Sequence, residues 1–367
     1  MKNKFILVCC LNSQSYGGLT YWINFVKYFK LLVNNSKINY KFIVNEGSEI
    51  SKILLKKDII VVKKYIYKNA FLRFIYEQLY IPLYLFKKLD ADFFFNAKNI
   101  APLLILNKSI IAIRNIEPFF YYKINFSLKK IKSFLRYLLS IISIKKCHTI
   151  ISVSKNTTKI IKRFSKKEIH LIPNGASVND KYLRKWKISK TLNYLLNSSK
   201  FIPYANQLKL IQIYKKAQMK NIRMPPLFLA GGVEDKTYFK KIQKFIKENQ
   251  LEKKIKFLGY ISRNTLHSLM AKCRLFIFSS ELESCPQTIM EAKLVGCPIL
   301  STNIQPMPEF LKKEAFYFDI NNTVAAAKKL NNIINLMKYK YKVKKKNKSI
   351  YLWKNSVKKY LDIFKKL

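Results

Sequence analysis

Short apolar runs alternate with stretches of helical periodicity through the first half of the chain. The runs are rich in β-branched and aromatic residues, as is typical of buried strands, and comprise residues 5–11, 40–45, 59–62, 93–95, 110–113, 148–153 and 169–172. Helical spacing of apolar residues occurs at 20–32 and 155–164. This alternation predicts parallel α/β layers. We interpret the first run as a core strand rather than a signal peptide, because it is short and no small-residue cleavage site follows it.

A polar stretch at 177–190 interrupts this pattern, and a second series then begins. Its predicted strands are 193–196, 227–230, 255–258, 275–278 and 298–301, and its predicted helices are 206–218, 236–249, 262–272 and 288–295. The sequence therefore predicts an α/β protein with two Rossmann-like domains, residues 1–178 and 193–340, joined by a linker at 179–192 and facing across a cleft. Ligands of such sheets bind beyond the carboxyl ends of the strands. A basic helical tail at 341–367 is a candidate to pack back on the first domain.

The composition is that of a folded protein without membrane-spanning segments. The chain has 367 residues, of which 49% are hydrophobic and only 8 are glycine, so two cores are possible and disordered or collagen-like classes are excluded. No apolar run approaches the roughly 18 residues of a membrane-spanning helix. The 6 cysteines form no CxxC pair and the 3 histidines are scattered, so we expect neither a metal site nor a disulfide framework. Unpaired thiols favour a cytoplasmic protein.

The net charge of +50 invites a polyanion-binding interpretation, but A+T-rich codons produce the same bias. We find no recognition helix, zinc finger or RNA-binding sheet signature, and we expect no nucleic-acid partner. Residues 128–146 form a basic amphipathic pattern inside the stretch 118–167, which has no acidic residue. The pattern fits a helix lying on an anionic membrane surface and equally a core-facing helix, because both require the same spacing. Residues 63–88 form a second basic segment rich in aromatic residues.

The segment 275–301 contains the most informative chemistry. An apolar strand ends at Phe278, a polar loop follows, and Pro286 is expected to begin a helix, where its missing N–H does no harm. Free N–H groups at the start of that helix would form an anion site. Glu291 lies about one turn into the helix and Glu283 in the loop before it. Carboxylates accept paired hydrogen bonds, so this arrangement suits a ligand that offers a diphosphate and hydroxyls.

Seven residues separate Glu283 from Glu291. The pair lies between a predicted strand followed by Ser-Ser and the run Gly-Cys-Pro-Ile-Leu-Ser. This arrangement resembles the E-x7-E signature of glycosyltransferase family 4. Further segments resemble that family in order and context, namely residues 3–18, 148–175, 256–262 and 308–319. Residues 114–119 are similar to a segment of members that build surface polysaccharides. The resemblance covers nearly the whole chain and is strongest from 145 to 320. It implies a retaining enzyme with the two-domain type-B fold.

The resemblance also implies which residues bind the donor. These are Glu291 at the ribose, Ile261 near the base, the main chain around Cys285, Pro286 and Gln287 at the sugar and phosphate, and Gly17 and Gly18 in a glycine loop where a Cβ would obstruct the donor. The donor is a nucleotide-diphosphate sugar and is a substrate, so no cofactor is expected.

Three residues are assigned to catalysis in the same way. Glu283 would contact hydroxyls of the transferred sugar. Lys200 replaces an Arg that family members place on the diphosphate, as a point charge without a bidentate fork. Asn115 lies where many members have a His–Asp or similar pair. Ala205 occupies the position of a second diphosphate-binding Lys, so the chain departs from the family pattern at the leaving group. Cationic and backbone donors stabilise the developing charge there, and no metal need be invoked.

The implied function is transfer of a sugar to a glycan acceptor, which we expect to be lipid-linked, in lipopolysaccharide or capsule synthesis. We expect a cytoplasmic protein, either free or peripheral on the inner face of the cytoplasmic membrane, with an anionic membrane surface as a further candidate partner. The alternative is a decayed glycosyltransferase fold that acts as a basic membrane-surface or polyanion-binding protein. A dinucleotide oxidoreductase is disfavoured, because no G-x-G-x-x-G follows a predicted strand.

Overall fold

The computed structural model describes residues 4–11, 16–34, 38–123, 128–178, 192–220, 223–339 and 352–367. The chain divides into two compact units, one formed by Met1–Gly175 with Tyr351–Leu367 and the other by Ala176–Ile350. This division falls close to the boundary expected at residue 178. The expected linker at 179–192 lies outside the described residues except for Leu192, and so do residues 341–351 of the expected tail.

The first unit contains a seven-stranded parallel sheet in the order β3-β2-β1-β4-β5-β6-β7. Its strands are β1 (Lys4–Cys9), β2 (Ile38–Asn45), β3 (Ile59–Val62), β4 (Phe93–Asn96), β5 (Ser109–Ile113), β6 (Thr149–Ser152) and β7 (Ile169–Leu171). Every side chain of β5 and β6 is buried, because the central strands of a parallel sheet are covered on both faces. The apolar runs of the sequence therefore locate these strands to within two residues.

Helices connect these strands. They are α1 (Tyr16–Val33), α2 (Glu49–Ile53), α3 (Lys64–Lys68), α4 (Ala70–Ile75), a π-helical segment (Tyr76–Leu85), α5 (Phe86–Lys88), α6 (Leu128–Lys146) and α7 (Lys155–Ile161). Helix α1 begins four residues before the expected start at 20, and Gly17 and Gly18 therefore lie in its first turn rather than in a glycine loop. A π-helical segment containing Pro82 is not foreseen by the 3.6-residue periodicity.

The second unit contains a six-stranded parallel sheet in the order β10-β9-β8-β11-β12-β13. Its strands are β8 (Leu195–Ser198), β9 (Leu227–Ala230), β10 (Ile255–Gly259), β11 (Leu275–Phe278), β12 (Ile299–Thr302) and β13 (Phe316–Phe318). Its helices are α8 (Gln207–Lys220), α9 (Lys236–Glu248), α10 (Arg263–Lys272), α11 (Gln287–Val295), α12 (Met307–Leu311) and α13 (Thr323–Tyr339). From β8 the chain first adds β9 and β10 on one side, and it then adds β11, β12 and β13 on the other side. The carboxyl ends of β8 and β11 therefore form the topological switch point, where ligands of open α/β sheets bind.

The C-terminal helix α14 (Trp353–Lys366) belongs to the first unit and packs against α1. Its Trp353 and Tyr360 lie in the same aromatic cluster as Tyr21, Phe25 and Phe95. Gly175 makes close contact with this helix, since a Cβ at that position would lie 2.3 Å from the Cα of Trp353. Both units are therefore α/β folds of the Rossmann type, as the sequence predicts.

Within the described ranges, no helix has both the length and the apolar composition needed to cross a membrane.

Candidate active site

The loops that follow β8 and β11 are bonded to each other at the switch point of the second sheet. The Ser279 hydroxyl donates to the carbonyl of Ala205 at 2.7 Å, and the N–H of Glu281 donates to the carbonyl of Tyr204 at 2.9 Å. These bonds fix the turn at 203–205 against the loop that contains Glu283. The positions expected to serve the diphosphate and the sugar therefore belong to one edge of one sheet.

The loop after β9 packs against the loop after β8, which contains Lys200. Gly231 lies so close to the β8 loop that a Cβ would be 1.9 Å from the carbonyl oxygen of Ser199. Lys200 lies in the β8 loop, and its Nζ is 3.1 Å from Oε2 of Glu234. The Lys200 side chain is 39% exposed. The ammonium group is therefore at the surface of the unit, where it is able to exchange Glu234 for a phosphate.

Gln207 fixes the main chain beside Lys200. The side chain is fully buried at the start of α8, and its Nε2 donates to the Ser199 hydroxyl at 2.8 Å and to the Lys200 carbonyl at 2.6 Å. Ala205, where the family pattern led us to expect Lys, is also buried at 2% exposure. The position has no open surface within the unit, so a Lys in this backbone would have to displace its neighbours.

Glu283 lies in the β11–α11 loop, and the pKa of its carboxyl is raised above the ordinary value. The residue is half-buried, yet desolvation of its carboxyl raises the pKa to about 7, and a hydrogen bond from the Ser280 hydroxyl only partly opposes that rise. A carboxyl with this pKa exists in both protonation states near neutral pH. It is able to donate a hydrogen bond to a sugar hydroxyl in one state and to accept one in the other.

Glu291 is almost completely buried, with 2% of its surface exposed, and two side chains of α10 contact it. Nη1 of Arg263 donates to Oε2 of Glu291 at 2.6 Å, and Nε2 of His267 lies 3.3 Å from the same oxygen. Arg263 and His267 are four residues apart and so share one face of the helix. Neither residue was predicted from the sequence. Their spacing, directly after the expected base-pocket loop, was the available signal.

Helix α11 begins at Gln287, between the start expected at Pro286 and the periodic pattern that begins at 288, and Pro286 occupies its N-cap. The ψ angle of Pro286 is 87°, outside the helical region, which excludes this residue from the first turn. Cys285 and Gln287 are half-buried on either side of the buried Pro286, and Cys285 does not form a disulfide bond. Ile261 is half-buried in the β10–α10 loop, two residues before Arg263.

Three of the expected site residues belong to the first unit. A Cβ at Gly17 would meet no atom of the first unit within 4 Å, and the expectation that a Cβ at Gly17 or Gly18 would obstruct the donor stays a prediction. Asn115 is exposed after β5, and its Oδ1 accepts a hydrogen bond from the N–H of Glu117 at 2.9 Å. The other seven residues belong to the second unit.

The family model and the relatives that this chain matches are all glycosyltransferases. Residues 178–350 match the family model described as glycosyl transferases group 1. The chain is 28% identical over 150 residues to O-antigen chain mannosyltransferase B of Escherichia coli, covering 40% of this chain and 37% of that one. It is 31% identical over 137 residues to the capsular polysaccharide biosynthesis glycosyltransferase CapH of Staphylococcus aureus, covering 36% and 37%. The matched segments thus span little more than a third of these relatives.

Solved structures share the fold along the whole chain. A glycosyltransferase from Rickettsia africae aligns with a TM-score of 0.66 at 20% identity, covering 100% of this chain and 99% of that one. The lipopolysaccharide outer core galactosyltransferase WaaB aligns with a TM-score of 0.68 at 17% identity, covering 99% and 100%. At these identities the likeness establishes the two-unit α/β architecture of glycosyltransferases. Residues 178–350, slightly less than half of the chain, therefore match the group 1 glycosyl transferases, and the sequence motifs resemble those of glycosyltransferases as well.

Proposed function

We propose that this protein is a retaining glycosyltransferase that moves a sugar from a nucleotide-diphosphate sugar to a glycan acceptor in surface polysaccharide synthesis. The observation that carries the proposal is the pair Glu283 and Glu291 around the start of α11, inside the segment that matches the family model. The curated names of the E. coli and S. aureus relatives, an O-antigen mannosyltransferase and a capsular glycosyltransferase, support the product class.

Glu291 binds the ribose in this proposal, and α10 prepares its carboxylate. Arg263 and His267 both contact Oε2, which fixes the orientation of the carboxylate while the side chain is buried. Ribose hydroxyls donate to this carboxylate when the nucleotide binds. Since 34% of the Arg263 side chain is exposed against 2% for Glu291, the guanidinium is the partner that is able to move aside.

Lys200 and Glu283 act on the reacting part of the donor. Lys200 exchanges its exposed partner Glu234 for the diphosphate and stabilises the negative charge that develops on the leaving group. Glu283 holds hydroxyls of the transferred sugar, and its pKa of about 7 provides both a donor and an acceptor form in the neutral range. Asn115, Gly17 and Gly18 stay predictions, because they belong to the other unit.

The test is a panel of nucleotides and nucleotide sugars in a thermal-shift assay. A ligand at a hundredfold excess over its dissociation constant should stabilise the protein by about 2.7 kcal/mol. With the donor identified, the anomeric configuration of the product, followed by NMR before mutarotation, distinguishes retention from inversion. A protein that binds no nucleotide diphosphate contradicts the proposal.

A second candidate is a glycosyltransferase fold that has lost catalysis and binds polyanions. The specific observation in its favour is the buried Ala205 in place of the expected Lys, together with the net charge of +50. Binding of heparin or polyphosphate without donor hydrolysis or transfer would favour it. The acceptor, which we expect to be lipid-linked, and a location at the inner face of the cytoplasmic membrane belong to the proposal for the active enzyme.

A further inference from the structure

Helix α6 is packed with its serine side chains inward and most of its large apolar side chains outward. Ser133, Ser140 and Ser143 are buried, and the hydroxyls of the last two are bonded, Ser140 to the Arg136 carbonyl at 2.6 Å and Ser143 to the Ala101 N–H at 3.2 Å. Ile144 is also buried, and Leu139 and Ile141 are half-buried, but five large apolar residues of the same helix are exposed by 39–53%; they are Ile131, Phe134, Leu135, Leu138 and Ile142. The five exposed residues of this helix therefore do not serve the core.

The helical segment 70–85 has a second exposed apolar face. Its large exposed side chains are Phe71, Leu72, Phe74, Ile75, Leu79, Tyr80, Leu83 and Tyr84, while Ile81 and Leu85 are buried on the other side. Tyr76 stacks on Tyr80 with ring centroids 4.8 Å apart, and Lys88 donates to the Tyr84 hydroxyl at 3.1 Å. Tyrosines with an apolar ring and a polar tip suit the boundary between a bilayer and water.

A short segment connects these two faces. The N–H of Leu103 donates to Gln78 in the π-helical segment at 3.0 Å, and the N–H of Ala101 donates to Ser143 in α6 at 3.2 Å. Leu103 and Leu104, exposed by 41% and 56%, therefore lie on a segment bonded to both helices. We name residues 71–84, 103–104 and 131–142 together the apolar surface. A set of large apolar side chains of this extent is unusual on a protein that remains free in water.

The charges around the apolar surface are positive with one exception, Glu77. Cations are interspersed with it, namely Arg73, Lys87, Lys88, Lys132, Arg136, Lys145 and Lys146. Glu77 is the acidic residue within these segments, and it is paired with Lys98 at 2.8 Å. A second copy of this chain would bring an equally basic surface against this one, so like-charge repulsion opposes self-association. An anionic surface is the complementary partner.

We propose that the apolar surface docks on an anionic phospholipid bilayer. The exposed leucine, isoleucine and phenylalanine side chains enter the boundary between headgroups and acyl chains, and the interspersed lysines and arginines contact lipid phosphates. The helices lie on the bilayer and do not cross it. This docking goes beyond the proposed transfer reaction and does not depend on it, because no residue of the donor site takes part.

The test is flotation of the full-length protein with phosphatidylcholine vesicles, with and without 30% phosphatidylglycerol, at 50 and 500 mM salt. We expect binding to anionic vesicles that salt weakens, since surface attraction falls off within a Debye length. The double variants Leu135→Asn/Leu138→Asn and Leu79→Asn/Leu83→Asn should each bind at least about tenfold more weakly. Leu336→Asn on α13, which removes a leucine with 57% exposure from the second unit, is the matched control and should bind like the wild type.

Three results would overturn the proposal. The first is no binding to anionic vesicles, or equal binding to neutral ones. The second is equal loss of binding in the control and the double variants. The third is a wild-type dimer that the double variants convert to a monomer in size-exclusion chromatography, which would assign the surface to a second copy. Melting curves verify folding of the variants, and their nucleotide affinity should stay unchanged, so failure of docking and failure of the donor site are told apart.

Discussion

Glu291 is the residue whose proposed role is tested most directly. Replacement by Gln removes the charge that ribose hydroxyls would bond to, and should weaken binding of the free nucleoside diphosphate by about 1–3 kcal/mol. Calorimetry well below the melting temperature is the measurement, because Glu291→Gln also disrupts the 2.6 Å pair with Arg263 and lowers stability. Glu283→Gln is the control and should spare nucleotide affinity. Equal affinities of wild type and Glu291→Gln would refute the ribose assignment.

Lys200 should matter for transfer and little for folding. Its pair with Glu234 is partly exposed and so contributes little to stability, whereas a cation on the leaving diphosphate lowers the barrier. Lys200→Ala should reduce the transfer rate by about a hundredfold or more while the melting temperature changes by only a few degrees. Glu234→Gln is the matched control, since it breaks the same ion pair but leaves the cation, and should retain transfer. An unchanged rate in Lys200→Ala would mean that another group serves the diphosphate.

Glu283 should make stability depend on pH in a defined direction. Its folded-state pKa is about 7 against an ordinary value of 4.5, so between these values the folded protein holds a proton that the unfolded chain has lost. The stability from this group is present below about pH 4.5 and is lost as the pH rises through 7. Glu283→Gln stays neutral, and should gain about 1 kcal/mol relative to wild type between pH 5 and pH 8 after allowance for partial solvent screening. Urea unfolding at the two pH values measures this. The same pH difference in both proteins would contradict it, and Glu281→Gln controls for loss of a carboxylate in the same loop.

At the scale of elements, the sequence locates strands well and helix orientation poorly. Runs such as 110–113 predict β5 because burial on both faces demands apolar residues at every position. The stripe on α6 predicts a helix, but the spacing is the same whether its apolar face meets the core or faces away from it. Only the packing of Ser140 and Ser143 against the unit reveals the orientation. Arg263 and His267 were missed for a similar reason, since the contact of α10 with α11 is tertiary.

The inward-facing serines of α6 give a prediction about stability. Ser140 is fully buried, so Ser140→Leu should force extra methyl groups into a packed contact and destabilise the first unit by about 1–3 kcal/mol. Leu135 is exposed by 53%, and Leu135→Ser should change the free energy of unfolding by less than about 0.5 kcal/mol. Denaturant unfolding of the two variants is the measurement. The opposite ranking would mean that the apolar stripe faces the core.

At the scale of the whole molecule, the two units are not consecutive halves of the chain, because the C-terminal helix belongs to the first unit. The polar stretch near residue 177 separates the two α/β series, and the units divide close to it. The pattern of residues 353–366 indicates an amphipathic helix that needs an apolar partner, but a periodic pattern does not name that partner. The structure shows α14 on α1, so the first unit is closed by the last residues of the chain. Its folding therefore joins residues more than 300 positions apart in sequence.

This closure should be measurable through Trp353. The side chain is 1% exposed and contacts Tyr21, with ring centroids 5.3 Å apart, so Trp353→Ala should leave a cavity and cost about 3–5 kcal/mol. The loss should be confined to one unit: hydrogen exchange should accelerate in β1 and β4 and stay unchanged in β8 and β11. Leu352→Ala, at an adjacent residue with 41% exposure, is the control and should behave like wild type. If Trp353→Ala leaves exchange in β1 and β4 unchanged, or accelerates it equally in both sheets, α14 is not the element that closes the first unit.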